Sequence, residues 1–228
     1  MSAVTVSNDQ LKLEQFQGPL AFLADVHGNL AALDAVIAAS RAAGARTFFV
    51  GGDLVYRGAE PLEVWKRLTE IGARLTRGTS DIALVAVDPD KLRPTDPGQR
   101  AAVEKFRWTR TALGELILAR IRRLPDILRI ELRDGNEIAL AHGSPLDPTQ
   151  PITHDLDDDE ISALLGDDPA DIVISGGADV PFQREVGGIR VVGLGSAGDA
   201  PSGERVAHFA LVEPSEDGLL IEPRWVNY

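Results

Sequence analysis

Two short stretches carry residues whose types and spacing fit metal chemistry, Asp25-x-His27-Gly28-Asn29 and Gly51-Gly52-Asp53. An aspartate and a histidine two positions apart, just after an apolar run, can both face one ion from the end of a strand. The neighbouring glycine lets the backbone come close, and Asn29 suits the cap of the helical pattern that begins there. Further polar residues follow other short apolar runs: Asp81 in Gly78-Thr79-Ser80-Asp81, His142 in His142-Gly143-Ser144-Pro145, and Asp179 in Gly176-Gly177-Ala178-Asp179. Carboxylates and imidazoles in this mixture suit divalent Mn, Fe, Zn or Ni. A carboxylate shared by two such ions, about 3.5–4 Å apart, would let them clamp both oxygens of an in-line phosphoryl displacement. A serine triad fits poorly, because the glycine-flanked serines lack the context of a nucleophile elbow.

The elements that must position these residues follow from hydrophobic periodicity. Residues 19–25 read as a buried strand, and 29–43 as a helix with Leu30, Leu33, Val36 and Ile37 at helical spacing, closed by Gly44. A strand over 46–50 runs into the Gly51-Gly52-Asp53 loop. Pro61 opens a helix to about 71, and 73–76 is a third strand. This β-α-β-α-β order predicts parallel strands with right-handed crossovers, and such sheets collect ligands beyond the carboxyl ends of their strands. Residues 88–99 carry three prolines and read as a loop; a long helix follows over about 100–122, stopped by Pro125.

From residue 127 the pattern turns strand-rich. Residues 127–132 and 137–141 form a hairpin about Asp134-Gly135, and 157–165 a helix whose acidic start, Asp155 to Glu160, suits the macrodipole. Strands follow at 172–174 and near 189–193, 206–213 and 219–225, with Asp217-Gly218 turning the last pair. His208 reads as structural, His154 as a surface loop residue, and Trp65, Trp108 and Trp225 as core or packing residues.

With 228 residues and 44% hydrophobic content, the chain can bury the core of one moderate domain. The absence of cysteine excludes disulfides, zinc ribbons, iron–sulfur clusters and thiol nucleophiles. A net charge of -12 argues against a broad nucleic-acid or anionic-membrane surface, but not against phosphate held through a metal ion. No apolar run reaches membrane-spanning length, and residues 1–17 lack the basic start and apolar centre of a secretory signal. A cytoplasmic protein is expected.

From about Pro19 onward the ordered motifs, together with Gly195-Ser196-Ala197-Gly198, resemble the calcineurin-like metallophosphoesterase superfamily, in particular its small bacterial phosphodiesterase and phosphatase branch. The resemblance implies an α/β (α+β) fold, a four-layer αββα sandwich of two mixed sheets face to face with helices outside. Residues 1–18 would be an extension and 19–228 a single domain. It implies hydrolysis of a phosphomonoester or phosphodiester by a metal-activated water. Carried over, one ion takes Asp25, His27, Asp53 and Asp179, the last replacing a histidine. A second would share Asp53 and use His142, but Thr79 and Gly177 stand where the family supplies an asparagine and a histidine. Ser80 likewise stands in place of a histidine near the leaving group. Losing ligands outright should weaken that site severely. One ion rather than two is therefore expected, with Asp53 and His142 catalytic and with Asn29, Arg57, Arg77 and Arg184 as candidate phosphate contacts. The expected partner is a small phosphorylated substrate, with no membrane. The same losses also fit an inactive member of the fold that binds a phosphorylated ligand or a protein partner.

Overall fold

The computed structural model describes residues 11–13, 16–132, 135–199, 203–215 and 218–228. The first half runs β1 (Leu11–Lys12), β2 (Leu20–Leu23), α1 (Leu30–Ala42), β3 (Thr47–Gly51), α2 (Pro61–Glu70), β4 (Arg74–Thr76), α3 (Thr79–Ala86) and α4 (Pro97–Ile121). The second half runs β5 (Ile127–Glu131), β6 (Glu137–Ala141), α5 (Asp158–Leu165), β7 (Ile172–Ser175), β8 (Phe182–Val186), β9 (Ile189–Gly193), β10 (Val206–Ser215) and β11 (Gly218–Asn227). Five strands pair in the order β11-β10-β2-β3-β4, and six in the order β1-β5-β6-β7-β9-β8.

Strand alternation builds the layers. On β2, Leu20 and Phe22 face the second sheet beside Phe49 of β3, and there they meet Ile138, Leu140, Ile174 and Val192. Ala21 and Leu23 face the other way, onto Leu33, Val36 and Ile37 of α1 and Leu68 of α2. Both faces of β2 are therefore buried, which is why it reads as a continuous apolar run. The six-stranded sheet repeats the arrangement, its outer face packing Ala139, Val173 and Val191 against Ile161 and Leu165 of α5. Helix, sheet, sheet, helix is the four-layer sandwich expected. Phe22 and Phe49 stack at 4.8 Å between the sheets; burial of each such side chain contributes about 1.5–3 kcal/mol.

Strands β2, β3 and β4 are mutually parallel, as are β6, β7 and β9. The loops leaving their carboxyl ends, which begin near residues 24, 52, 77, 142, 176 and 194, are the loops that hold the motifs. The two sheets meet at this rim, where His142 Nδ1 lies 2.9 Å from the Gly51 carbonyl.

Several elements depart from the sequence reading. α3 has no counterpart in it, because eight residues are too few to establish a helical period beside a glycine loop. β8 is also new: its Gln183-Arg-Glu185 centre is polar because it is an edge strand, paired only to β9 among the described residues. The helix expected over 100–122 begins at Pro97, where Asp96 Oδ1 accepts from Gln99 N at 2.8 Å, and is interrupted at Gly114 (φ 72°, ψ 164°). Leu11 and Lys12 pair in parallel with Ile130 and Glu131, and Phe16 packs edge-on against Phe49. Trp65 is core, one of the two alternatives expected, but Trp108 and Trp225 are 44% and 66% exposed, which corrects the core alternative for both. Lys105 Nζ sits 4.1 Å over the Trp108 ring. Asp134, Asp217 and residues 1–10 of the expected extension lie outside the described residues.

Candidate metal centre

The loops after β2 and β3 are joined backbone to backbone. Asp25 N donates to Gly52 O at 3.1 Å, His27 N to Asp53 O at 2.9 Å, and Gly28 N to Leu54 O at 3.0 Å. The loop after β9 closes on the other side, with Ala197 N donating to Ala24 O at 3.0 Å and Gly198 N to Asp25 O at 2.8 Å. Asp25, His27 and Asp53 are thus held in register from three directions. All three adopt left-handed backbone, with φ of 54°, 49° and 52°, a region uncommon for residues with a Cβ.

This backbone turns their side chains inward together. One ligand atom from each of Asp25, His27 and Asp53 lies within 4.8 Å of the other two, and all three residues are buried. Asp25 Oδ2 and His27 Nδ1 have no hydrogen-bond partner. Buried polar atoms without a partner are costly unless something binds them. The donor set of two carboxylates and an imidazole fits a divalent transition-metal ion.

The charges tell the same story. Burial, and then the neighbouring charges of Asp53 and Asp179, raise the Asp25 pKa well above the ordinary carboxylate range. Burial lowers the pKa of His27. Asp81 is pushed up to about 8 by burial and by Asp53, against the opposing pull of backbone N–H groups. A bound cation would offset this crowding of carboxylates.

His142 completes the inner surface. Its Nδ1 faces the Gly51 carbonyl and therefore carries the proton in the neutral ring, leaving the lone pair on Nε2, 3.6 Å from Asp53 Oδ1. Two acceptor atoms at that distance also favour a cation or a proton between them. Asp53 Oδ1 is fixed by the Ser80 amide at 2.8 Å. Gly78 is required there, since any Cβ would collide with Asp53 Oδ1 and Asp53 N. Asp81, at the first turn of α3, accepts from Gly78 N at 2.9 Å and from Leu54 N at 3.2 Å. It braces the two loops.

The remaining candidates separate by their partners. Asp179 is exposed and lies outside the group of three, although its charge reaches Asp25. Thr79 is exposed at the first position of α3. A Cβ on Gly177 would stand 3.5 Å from His142 Nε2, so this position does adjoin the second-site histidine. Asn29 caps α1 through Ala32 N and donates its amide to Gly198 O and Tyr228 Oη at 2.9 and 3.0 Å; it braces the site. Arg77 is bound bidentately to Asp126 at 2.5 and 3.1 Å, and Arg184 to the Leu156 carbonyl and Asp158. His154 is exposed and His208 half-buried in β10. Arg57 stays at the mouth, exposed, at φ 88° and 3.3 Å from Asp199. Asp199 was not singled out in the sequence; its place directly after Gly195-Ser-Ala-Gly198 is the local feature that points to it.

A family model described as the calcineurin-like phosphoesterase superfamily domain matches residues 19–217. Among solved structures, a hypothetical protein from Pyrococcus horikoshii is similar, at TM-score 0.76 and 26% identity over 93% of this chain and 89% of its own. A metallophosphoesterase from Sphaerobacter thermophilus follows at TM-score 0.71 and 21% identity, over 91% and 88%. An archaeal phosphodiesterase reaches TM-score 0.51 at 15% identity, over 92% and 99%. No curated protein matches the chain. Among the described residues, no helix is long and apolar enough to cross a membrane.

Proposed function

This chain belongs to the calcineurin-like phosphoesterase superfamily, and from that premise we propose that it is a phosphoesterase working with one divalent ion. Asp25, His27 and Asp53 would hold the ion, with Asp179 as a fourth ligand from the neighbouring loop. The observation that carries this reading is the buried convergence of those three ligand atoms within 4.8 Å, with Asp25 Oδ2 and His27 Nδ1 unpartnered. When bound, such an ion supplies Lewis acidity toward a phosphoryl oxygen and lowers the pKa of water.

The chain's own residues then have distinct tasks. The Ser80 amide holds Asp53 in one orientation. His142 presents Nε2 to the same space; once protonated there, it can hold a phosphoryl oxygen or donate to it. Arg57, whose guanidinium is exposed at the mouth, takes the non-bridging oxygens. Thr79 and Gly177 offer a neutral hydroxyl and no side chain, which supports one strong metal position rather than two.

The test is metal content per chain together with turnover of a phosphodiester, in the parent and in Asp53→Asn. We expect about one ion per chain, with both the ion and turnover lost in the variant. Unchanged turnover in Asp53→Asn would refute the assignment. The losses at Thr79 and Gly177 also favour a second reading, in which the cleft binds a phosphorylated ligand without cleaving it. A metal-loaded protein that binds phosphate yet turns over neither monoesters nor diesters would select that reading.

A further inference from the structure

The mouth of the site holds an ion pair of which the reaction described above uses only Arg57 and leaves its partner, Asp199, without a role. Arg57 Nη1 and Asp199 Oδ2 are 3.3 Å apart, with side chains 62% and 56% exposed. Neither end is free to drift at its backbone. Arg57 sits at φ 88°, directly before Gly58, whose amide donates to His27 O at 2.5 Å. Asp199 N donates to Ser196 Oγ at 2.9 Å, and that hydroxyl in turn donates to Asp25 O at 3.3 Å. Both partners are thus anchored to the backbone of proposed metal ligands, and both charges are felt at His27.

We propose that Asp199 is a specificity-determining residue that biases the site toward singly charged phosphodiesters over doubly charged phosphomonoesters. The inference rests on the one-ion reading of the proposed function. Four carboxylates, Asp25, Asp53, Asp179 and Asp199, then face one divalent ion and one guanidinium. Negative charge exceeds positive even in the loaded site. Asp199 is the member of the four that holds no ion in this scheme; its effect is to offset the Arg57 charge that would otherwise attract phosphate. A phosphomonoester dianion meets that excess with two charges, and a diester with one. Because the pair is exposed, its influence is moderated by water and salt.

The experiment compares kcat/KM for bis(p-nitrophenyl) phosphate and p-nitrophenyl phosphate in the Mn-loaded protein and in Asp199→Asn, at low and high salt. Inhibition by inorganic phosphate and dimethyl phosphate and metal content per chain are measured alongside. The diester should lead by at least about tenfold in the parent, and Asp199→Asn should narrow the ratio by about threefold to tenfold, chiefly through a lower monoester KM. Phosphate should inhibit the variant more strongly, the gap should close at high salt, and metal content should stay the same. A parent that prefers the monoester, or a ratio that does not move in a variant retaining its metal, overturns the role of Asp199 and leaves the phosphoesterase standing. Hydrolysis of neither ester overturns both.

Discussion

Replacing Asp25 with Asn should make the metal-free protein more stable and abolish the stability it gains from metal. Asp25 and Asp53 have ligand atoms within 4.8 Å. At an effective dielectric constant near 20, two full charges at that separation repel by about 3.5 kcal/mol. The sign follows from the raised pKa of Asp25. The unfolded carboxyl ionises near 3.8, while the folded one keeps its proton to higher pH. Stability is therefore lost as pH rises from the unfolded value toward the folded one, and the loss is largest at neutral pH. Retention of that proton relieves part of the repulsion, so Asn should recover about 1–3 kcal/mol in chelator, or roughly 3–8 °C in Tm for a chain of this size. With metal at a hundredfold excess over Kd, the parent should gain about 2.7 kcal/mol and the variant almost nothing. Thermal unfolding in chelator and in Mn thus gives curves that change order: the variant melts later without metal and earlier with it. A variant that melts earlier in chelator and still responds fully to metal would refute the reasoning, leaving Asp25 as a loop brace.

In an Asp25→Asn background, the lowered pKa of His27 should work against the raised pKa of Asp81. The His27 contribution is present above the ordinary value of 6.5 and is lost as pH falls through the folded value, whereas Asp81, held near 8, costs stability as pH rises toward that value. Adding His27→Gln should therefore steepen the fall of the denaturant midpoint between pH 5.5 and 6.5; an unchanged slope would contradict this. Gly78→Ala should cost more than about 3 kcal/mol and remove bound metal, because its Cβ has no room beside Asp53; near-parent melting and metal content would show that the loop yields. Arg57→Gln should raise KM severalfold with little change in stability. Arg77→Gln should leave KM alone and cost about 1 kcal/mol, the upper end for an ion pair near the surface, since this one is part-buried; the opposite pattern would reverse their roles.

The first parallel strands and the buried Asp25, His27 and Asp53 group were legible in the sequence for a local reason, whereas the four-layer sandwich came from the family resemblance. Residues 19–25 and 46–50 are apolar runs that end in a glycine-bearing loop with an acid, and everything needed to read them lies within a dozen residues. Where the reading was incomplete, the deciding partner is far away in the chain. Arg77 looks like a phosphate contact until Asp126 is brought to it, 49 positions on. Asn29 reads correctly as a helix cap, but the commitment of its amide to Tyr228 spans 199 positions. Trp108 and Trp225 look like core because tryptophan usually is, yet local pattern does not say which helix face or strand end meets solvent. β8 looks like a loop because an edge strand needs no apolar face of its own.

Backbone strain separates the two metal positions more sharply than side-chain identity does. Among the described residues, the non-glycine residues at positive φ are Asp25, His27, Asp53 and Arg57. Each holds a conformation that glycine adopts more easily, at a cost on the order of 1 kcal/mol or more, and such strain persists where the surrounding structure and a function demand it. All four lie in the two loops after β2 and β3. At the second position the backbone of Thr79, His142 and Gly177 carries no positive φ, and neither does that of Asp179, the proposed fourth ligand of the first. A cleft reduced to passive binding gains nothing from aspartate and histidine held in left-handed backbone with buried, unpartnered atoms, when glycine would relax the turn. Strain confined to the loops that carry Asp25, His27 and Asp53 supports the proposal of a single ion held there.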